Sequence, residues 1–211
     1  MRCFLLCCIC CFVLSCEGKK EVQLVKSNVT IEAEIGEHSP VYIFFKKDKK
    51  DTIADLNRAN TISSTHWVFT IDKRLPLRLV LPQIIKMQAK KEGSMHKNET
   101  SQNYFSYADS IHKNLAFMPF STISYKLEQP KQQGVFFIDK NNRIVFDGME
   151  VKREEVEDVL QEFVANNRQS IVFCFSKDCS FERYIQNKIY LRNVNAYKQF
   201  FLDKANTEYI Y

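Results

Sequence analysis

Glycine and proline are scarce in this chain, five of each in 211 residues. That argues against a glycine-rich phosphate-binding loop and against a β protein built on repeated tight turns. The four histidines (His38, His66, His96 and His112) lie far apart and share no metal-ligand spacing. Past residue 16 only two cysteines remain, Cys174 and Cys179. A zinc site would need a second ligand pair beside them, so no metal is expected. The net charge of +5 is spread along the chain without a long basic block. Nucleic acid is therefore a poor partner, while a weak attraction to anionic lipid or acidic glycans remains. What the chain does have is apolar residues (45%) and aromatics (13%). These are enough for a real core, in one moderate domain or two small ones.

The other six cysteines crowd into the first sixteen residues. Met1-Arg2 is a minimal positive start, and residues 3–14 (CFLLCCICCFVL) form an apolar run too short to span a bilayer as a helix. Val13-Leu14-Ser15-Cys16 resembles a bacterial lipobox, with valine where leucine is commonest. The resemblance implies that 1–15 is a signal peptide and that the Cys16 thiol carries a lipid. Residues 16–27 would then be a tether holding the protein to a membrane of the cell envelope, facing the periplasm or the surface. The alternative is an ordinary secretory signal with cysteines as apolar filler. Either route leads to an oxidising compartment, where a disulfide between Cys174 and Cys179 is one alternative. Cys174 lies in an apolar strand-like run and Cys179 after a turn, which favours two buried small hydrophobes instead.

Val29–Ile35 alternates apolar and polar, the period of a half-buried strand. Val41–Phe45 reads as a second strand, Lys46–Asp51 as a charged loop, and Ile53, Leu56 and Ala59 as a short helix. His66–Ile71 is a strand. Pro76 opens a helix whose apolar face holds Leu77, Val80, Leu81 and Ile84, with a kink or late start expected at Pro82. The run Lys86–Lys91 reads as the solvated end of that helix. Residues 101–128 are the least regular, with strand-like stretches at Leu115–Met118 and Thr122–Leu127; Gln129–Gln133 reads as a linker. Val135–Ile138 and Arg143–Phe146 form a hairpin across Asp139–Asn142. Val156, Val159, Leu160, Phe163 and Val164 mark an amphipathic helix with Glu154 and Glu155 in its first turn. Ser170–Phe175 is a buried strand, Ser180–Lys204 a long helix, and Glu208–Tyr211 an edge strand. The expected class is α+β. A first unit spans 28–128 and a second 134–211, each ordered strand, strand, helix, strand, helix, strand. At an offset of 104 residues Val68 and Val172, Phe69 and Phe173, Lys73 and Lys177, and Ile85 and Ile189 coincide, the pattern of a tandem repeat.

Two stretches of the second unit carry a resemblance. VFFIDKNNRIVFDGMEVKREEVEDVLQEFVANN is a hairpin leading through a glycine into an acidic-starting helix. SIVFCFSKDCSFERYIQNKIYLRNVNAYKQFFLDKA is a strand, a polar turn and a long helix. Together they resemble the periplasmic domain of the ExbD/TolR biopolymer-transport family. WVFTIDKRLPLRLVLPQI in the first unit shares the outline. The resemblance implies a non-catalytic module that pairs with a second copy or an envelope protein. The family's transmembrane helix and its intramembrane aspartate have no counterpart here, so proton-driven motor work is not implied.

Two enzymatic alternatives compete. VFFIDKNNRIVFDG also resembles the closing hairpin of thioredoxin-like lipoproteins, but Cys174 and Cys179 have four residues between them and follow the hairpin, and the expected proline is replaced by Gln133-Gly134. A hydrolase or metal site could use Asp109, Ser110 and His112, although a surface turn capped by Asp or Ser explains the same residues. No catalytic residue and no cofactor is expected, and the site residue singled out is Cys16, for lipidation.

Overall fold

The computed structural model describes residues 21–132, 134–166, 171–202 and 204–211. The signal peptide and Cys16 lie outside the described residues, as do residues 17–20 of the tether; the rest of the expected tether is packed on the domain, with Val25 in the core and Lys26–Ser27 in a strand. The chain is mixed α+β, with two mixed sheets of six strands each.

The first sheet is built from β1 (Lys26–Ser27), β2 (His38–Asp48), β3 (Asp51–Asn57) and β4 (His66–Ile71), then, after helix α1 (Leu77–Glu92), β5 (Asn103–Asp109) and β6 (Leu115–Pro119). Its order is β1-β5-β4-β2-β3, with β6 antiparallel on β5. The pairs β1–β5, β5–β4 and β4–β2 are parallel, and β2–β3 is an antiparallel hairpin. The second sheet begins with β7 (Ile123–Lys126), β8 (Val135–Ile138), β9 (Ile144–Phe146) and β10 (Met149–Val151). A 3-10 turn (Arg153–Glu155) and helix α2 (Val156–Asn166) lead to β11 (Val172–Phe175), α3 (Phe181–Asn193), α4 (Asn195–Phe200) and β12 (Asn206–Ile210). Its order is β10-β9-β8-β11-β12-β7.

Several elements differ from the sequence expectation. The segment expected as a helix around Ile53–Ala59 is strand β3. Its turn has only two residues, Lys49-Lys50, and this register sets Ala54 opposite Phe45 and Leu56 opposite Ile43, on the core side. Hairpin pairing outweighed the helical spacing. The first unit therefore lacks the first helix of the expected order, and residues 134–211 run strand, strand, strand, helix, strand, helix, helix, strand, the expected order with β10 added and the last helix split into α3 and α4. Val29–Ile35 forms no strand. It crosses the outer face of the first sheet, held by mutual backbone hydrogen bonds between Glu32 and Phe117, and Ile35 packs on Val68, Tyr104 and Phe117. The alternation there reflects a ribbon lying on a sheet. β7, expected with the first unit, pairs with β12 in the second sheet, so β12 is interior and not an edge. Helix α1 runs unbroken from Leu77 through Pro82. The expected long C-terminal helix breaks at Val194, whose backbone is extended. The Glu157 carboxylate of α2 then accepts the Asn195 amide at 2.7 Å and the Ala196 amide at 3.1 Å, capping α4.

The two sheets share one core. Phe105 on β5 stacks on Phe120 at 3.8 Å between ring centroids, and meets Phe181 of α3 edge-on at 5.4 Å. Tyr184 of α3 faces Phe105 on one side and Phe175 of β11 on the other.

The backbone joins the halves as well. The loop after β4 and the loop after β11 run antiparallel, with a bridge between Pro76 and Ser180. Leu77 N–H donates to Cys179 O at 2.9 Å, and Phe181 N–H donates to Leu75 O at 2.8 Å. Arg78 N–H donates to Lys177 O at 2.9 Å, and Glu182 N–H to Lys73 O at 3.0 Å. Each helix thus has its first two amides, which have no intrahelical acceptor, capped by carbonyls of the other half. The pairing is reciprocal, and the residues playing the same part are 104 apart.

Truncating the ring that bridges both halves should cost most. Phe105→Ala is expected to lose about 3–5 kcal/mol of unfolding free energy. Ser180→Ala, which removes the hydroxyl accepting the Arg183 amide, should lose about 1 kcal/mol. Urea titration of both variants measures the difference.

Candidate functional site

The thiols are free and fully buried. Burial pushes Cys174 up to about 12 and Cys179 up to about 11, far from a nucleophile's range. They are core residues of β11 and of the loop that caps α1.

Asp109 and His112 do come together, Oδ2 to Nδ1 at 2.6 Å. Asp109 Oδ1 also accepts the backbone amides of Ile111 and His112, and Oδ2 accepts the Thr30 hydroxyl. The Thr30 and His112 hydrogen bonds hold its carboxyl well below the usual carboxylate range. This is the capped turn between β5 and β6. The carboxylate is fully occupied in holding it, and Ser110 takes no part in the Asp109–His112 pair. Among the described residues no three potential metal ligands converge. The cleft of about 430 Å³ between α1 and the β7–β12 edge is lined by small polar residues, with Glu92 its single ionisable side chain.

Besides Asp72 and Asp109, three charged residues are buried among the described residues, Lys188, Glu208 and Lys91. Lys188 and Glu208 form an ion pair deep in the second unit. Tyr184 donates its hydroxyl to Glu208 at 2.7 Å, Tyr125 meets Tyr184 at 3.2 Å, and Lys188 reaches the Tyr197 hydroxyl at 3.5 Å. The attraction of Glu208 keeps Lys188 raised despite a larger opposing effect of burial. The cluster is sealed and joins α3, α4, β7 and β12. Both charges were legible: Lys188 continues the stripe Phe181, Tyr184, Ile185, and Glu208 shares a strand face with Ile210.

Lys91 is the third, and it corrects the expectation of a solvated helix end. It donates to Gln102 O and Asn103 Oδ1, both at 3.2 Å, and lies over the Trp67 ring at 5.2 Å. Its position, one heptad beyond Ile84, puts it on the apolar stripe.

The remaining candidate is a surface. β2 pairs with β4 only as far as Ile43, but pairs with β3 on to Asp48. A two-stranded arm therefore extends past the end of the sheet. Its tip carries Lys46, Lys47, Lys49 and Lys50, all exposed, beside Asp48 and Asp51. Lys49 adopts φ 54°, a left-handed turn position where glycine or asparagine is the usual occupant. Asp72 ties the arm's root to the N-terminal segment. Its amide donates to Ile43 O, and its carboxylate accepts the Gln23 amide at 3.2 Å and the Arg74 guanidinium at 2.8 Å. Arg74 in turn stacks over Phe45 at 4.2 Å. Because β2, β4 and β5 are parallel, the β5–β6 turn opens on the same end of the sheet. It presents Lys113, also left-handed at φ 59°, and Ile111, 61% exposed.

Comparison with family models, with curated proteins and with solved structures gave no significant match.

Burial brings Lys91 down to about 8 from an ordinary 10.5. Between those values the unfolded chain binds more protons, so this residue makes stability rise with pH. Over pH 8–9, the wild type should gain stability relative to Lys91→Met, as read from urea midpoints at each pH.

Proposed function

We propose that this chain is a non-catalytic binding module of the bacterial cell envelope, tethered by a lipid on Cys16 and accessory to biopolymer transport. Its second unit is of ExbD/TolR periplasmic type, and its first is a diverged copy that has lost the helix between the hairpin and the next strand. The observation carrying this reading is the order of elements in 134–211, which contains the order expected from the resemblance with β10 added after the hairpin and the last helix broken at Val194. The strand order β9-β8-β11-β12, matched in direction by β3-β2-β4-β5, supports the duplication. So does the reciprocal capping at the 104-residue offset. Buried thiols and a capped Asp109 turn favour binding over catalysis. Among the described residues no helix is long and apolar enough to cross a membrane, so a lipid is the attachment the sequence offers.

Cells expressing the chain and fed a clickable fatty acid should yield a labelled protein whose mature N-terminus is lipidated Cys16. Cys16→Ala should lose the label and leave the membrane fraction, and crosslinking at native abundance should give a dimer or a heterologous adduct. An unmodified N-terminus at another residue would overturn the anchor, and an uncrosslinked monomer would overturn the binding role.

A further inference from the structure

We propose that the end of the first sheet bearing the lysine-tipped arm is a docking surface for an anionic phospholipid bilayer. The inference rests on the tethered reading for its biological setting, since the anchor would bring this end of the molecule to a membrane.

Placement is the first argument. Gln23 is held beside Asp72, at the root of the arm, and the arm's tip lies three to five residues further along β2. At ~3.3 Å per residue the tip stands roughly 10–17 Å beyond the sheet. Seven Cα-to-Cα steps lead from Cys16 to Gln23. They span at most ~25 Å when extended. A lipid on Cys16 therefore keeps the arm within reach of the headgroups.

Charge and exposure are the second. Four lysines against two aspartates fill residues 46–51, and the second turn at this end adds Lys113. Both turns put lysine at a left-handed position that glycine fills without strain, so charge at the tip comes at the expense of turn geometry. Exposed apolar side chains accompany the lysines: Ile53 opposite Lys46 on the arm, and Ile111 and Leu115 at the second turn. Lysine with isolated aliphatic tips is the chemistry of a surface that settles on negatively charged headgroups and inserts shallowly. The opposite end differs. There Lys97 is paired with Glu92 and Glu99, which cancels its field.

A chain starting at Glu17 carries no lipid, and its far-ultraviolet circular dichroism is matched to that of the lipidated protein before use. Its co-sedimentation is measured with vesicles of phosphatidylcholine alone and of phosphatidylcholine with phosphatidylglycerol. The wild type should bind the anionic vesicles, and Lys46→Glu/Lys50→Glu, which reverses as many charges as the α1 control below, should bind on the order of tenfold more weakly or worse. Lys86→Glu/Lys90→Glu, on α1, should bind as wild type does. Equal binding to both vesicle types, or an arm variant that matches the wild type, would overturn the proposal. So would equal losses in the arm and α1 variants, which would reduce the effect to net charge. Unchanged far-ultraviolet circular dichroism of each variant keeps folding out of the comparison. Because the assayed chain carries no lipid, an unmodified Cys16 in cells would sink the anchor while leaving this result standing.

Discussion

The first two amides of α1 and of α3 have no acceptor within their own helices, and in each case the other half of the chain supplies it. Leu77 and Arg78 donate to the loop after β11, and Phe181 and Glu182 donate to the loop after β4. Leaving such a donor buried and unpaired costs about 1–3 kcal/mol, so separating the halves would strip both helix starts at once. The capping loops in turn fix where the helices begin, and hence where Phe181 and Tyr184 meet Phe105. The shared aromatic core follows from that placement. Two sheets that look separable by strand order are one body by hydrogen bonding and packing.

The same arrangement explains what is left exposed. α1 and α3 lie against the common core, and the outer face of the first sheet is crossed by 28–37. What remains uncovered at its end is the arm, the β5–β6 turn and the start of the described chain, joined through Asp72 and Arg74. The polar interior serves structure: the Lys188–Glu208 pair with its tyrosines is sealed, and removing one partner would strand a buried charge.

How much was legible in the sequence depended on whether local signals had competitors. The hairpin Val135–Phe146 and the α2 stripe were read correctly because turn residues, periodicity and first-turn acids agree there. Ile53–Ala59 was misread because Ile53, Leu56 and Ala59 fall at helical spacing, whereas the strand turns Ala54 and Leu56 to the core and leaves Ile53 on the other face; the two-residue Lys49-Lys50 turn decides the matter. Lys91 was read as part of a solvated helix end and Lys188 was not singled out, although each sits in register with an apolar stripe. The parallel pairings β7–β12 and β1–β5 had no local signal, since they join segments some eighty residues apart. The 104-residue offset was visible in a few identities, yet the hydrogen bonds it relates required the fold.

The account's central claim is that the two halves unfold as one. Trp67, the single tryptophan, is buried in the first sheet, while Cys174 and Cys179 are buried in the second half. Urea unfolding followed by Trp67 fluorescence and, in the same samples, by labelling of the two thiols tests the claim directly. A single transition with coincident midpoints is expected. Thiols that become reactive while the tryptophan remains native, or the reverse, would contradict it.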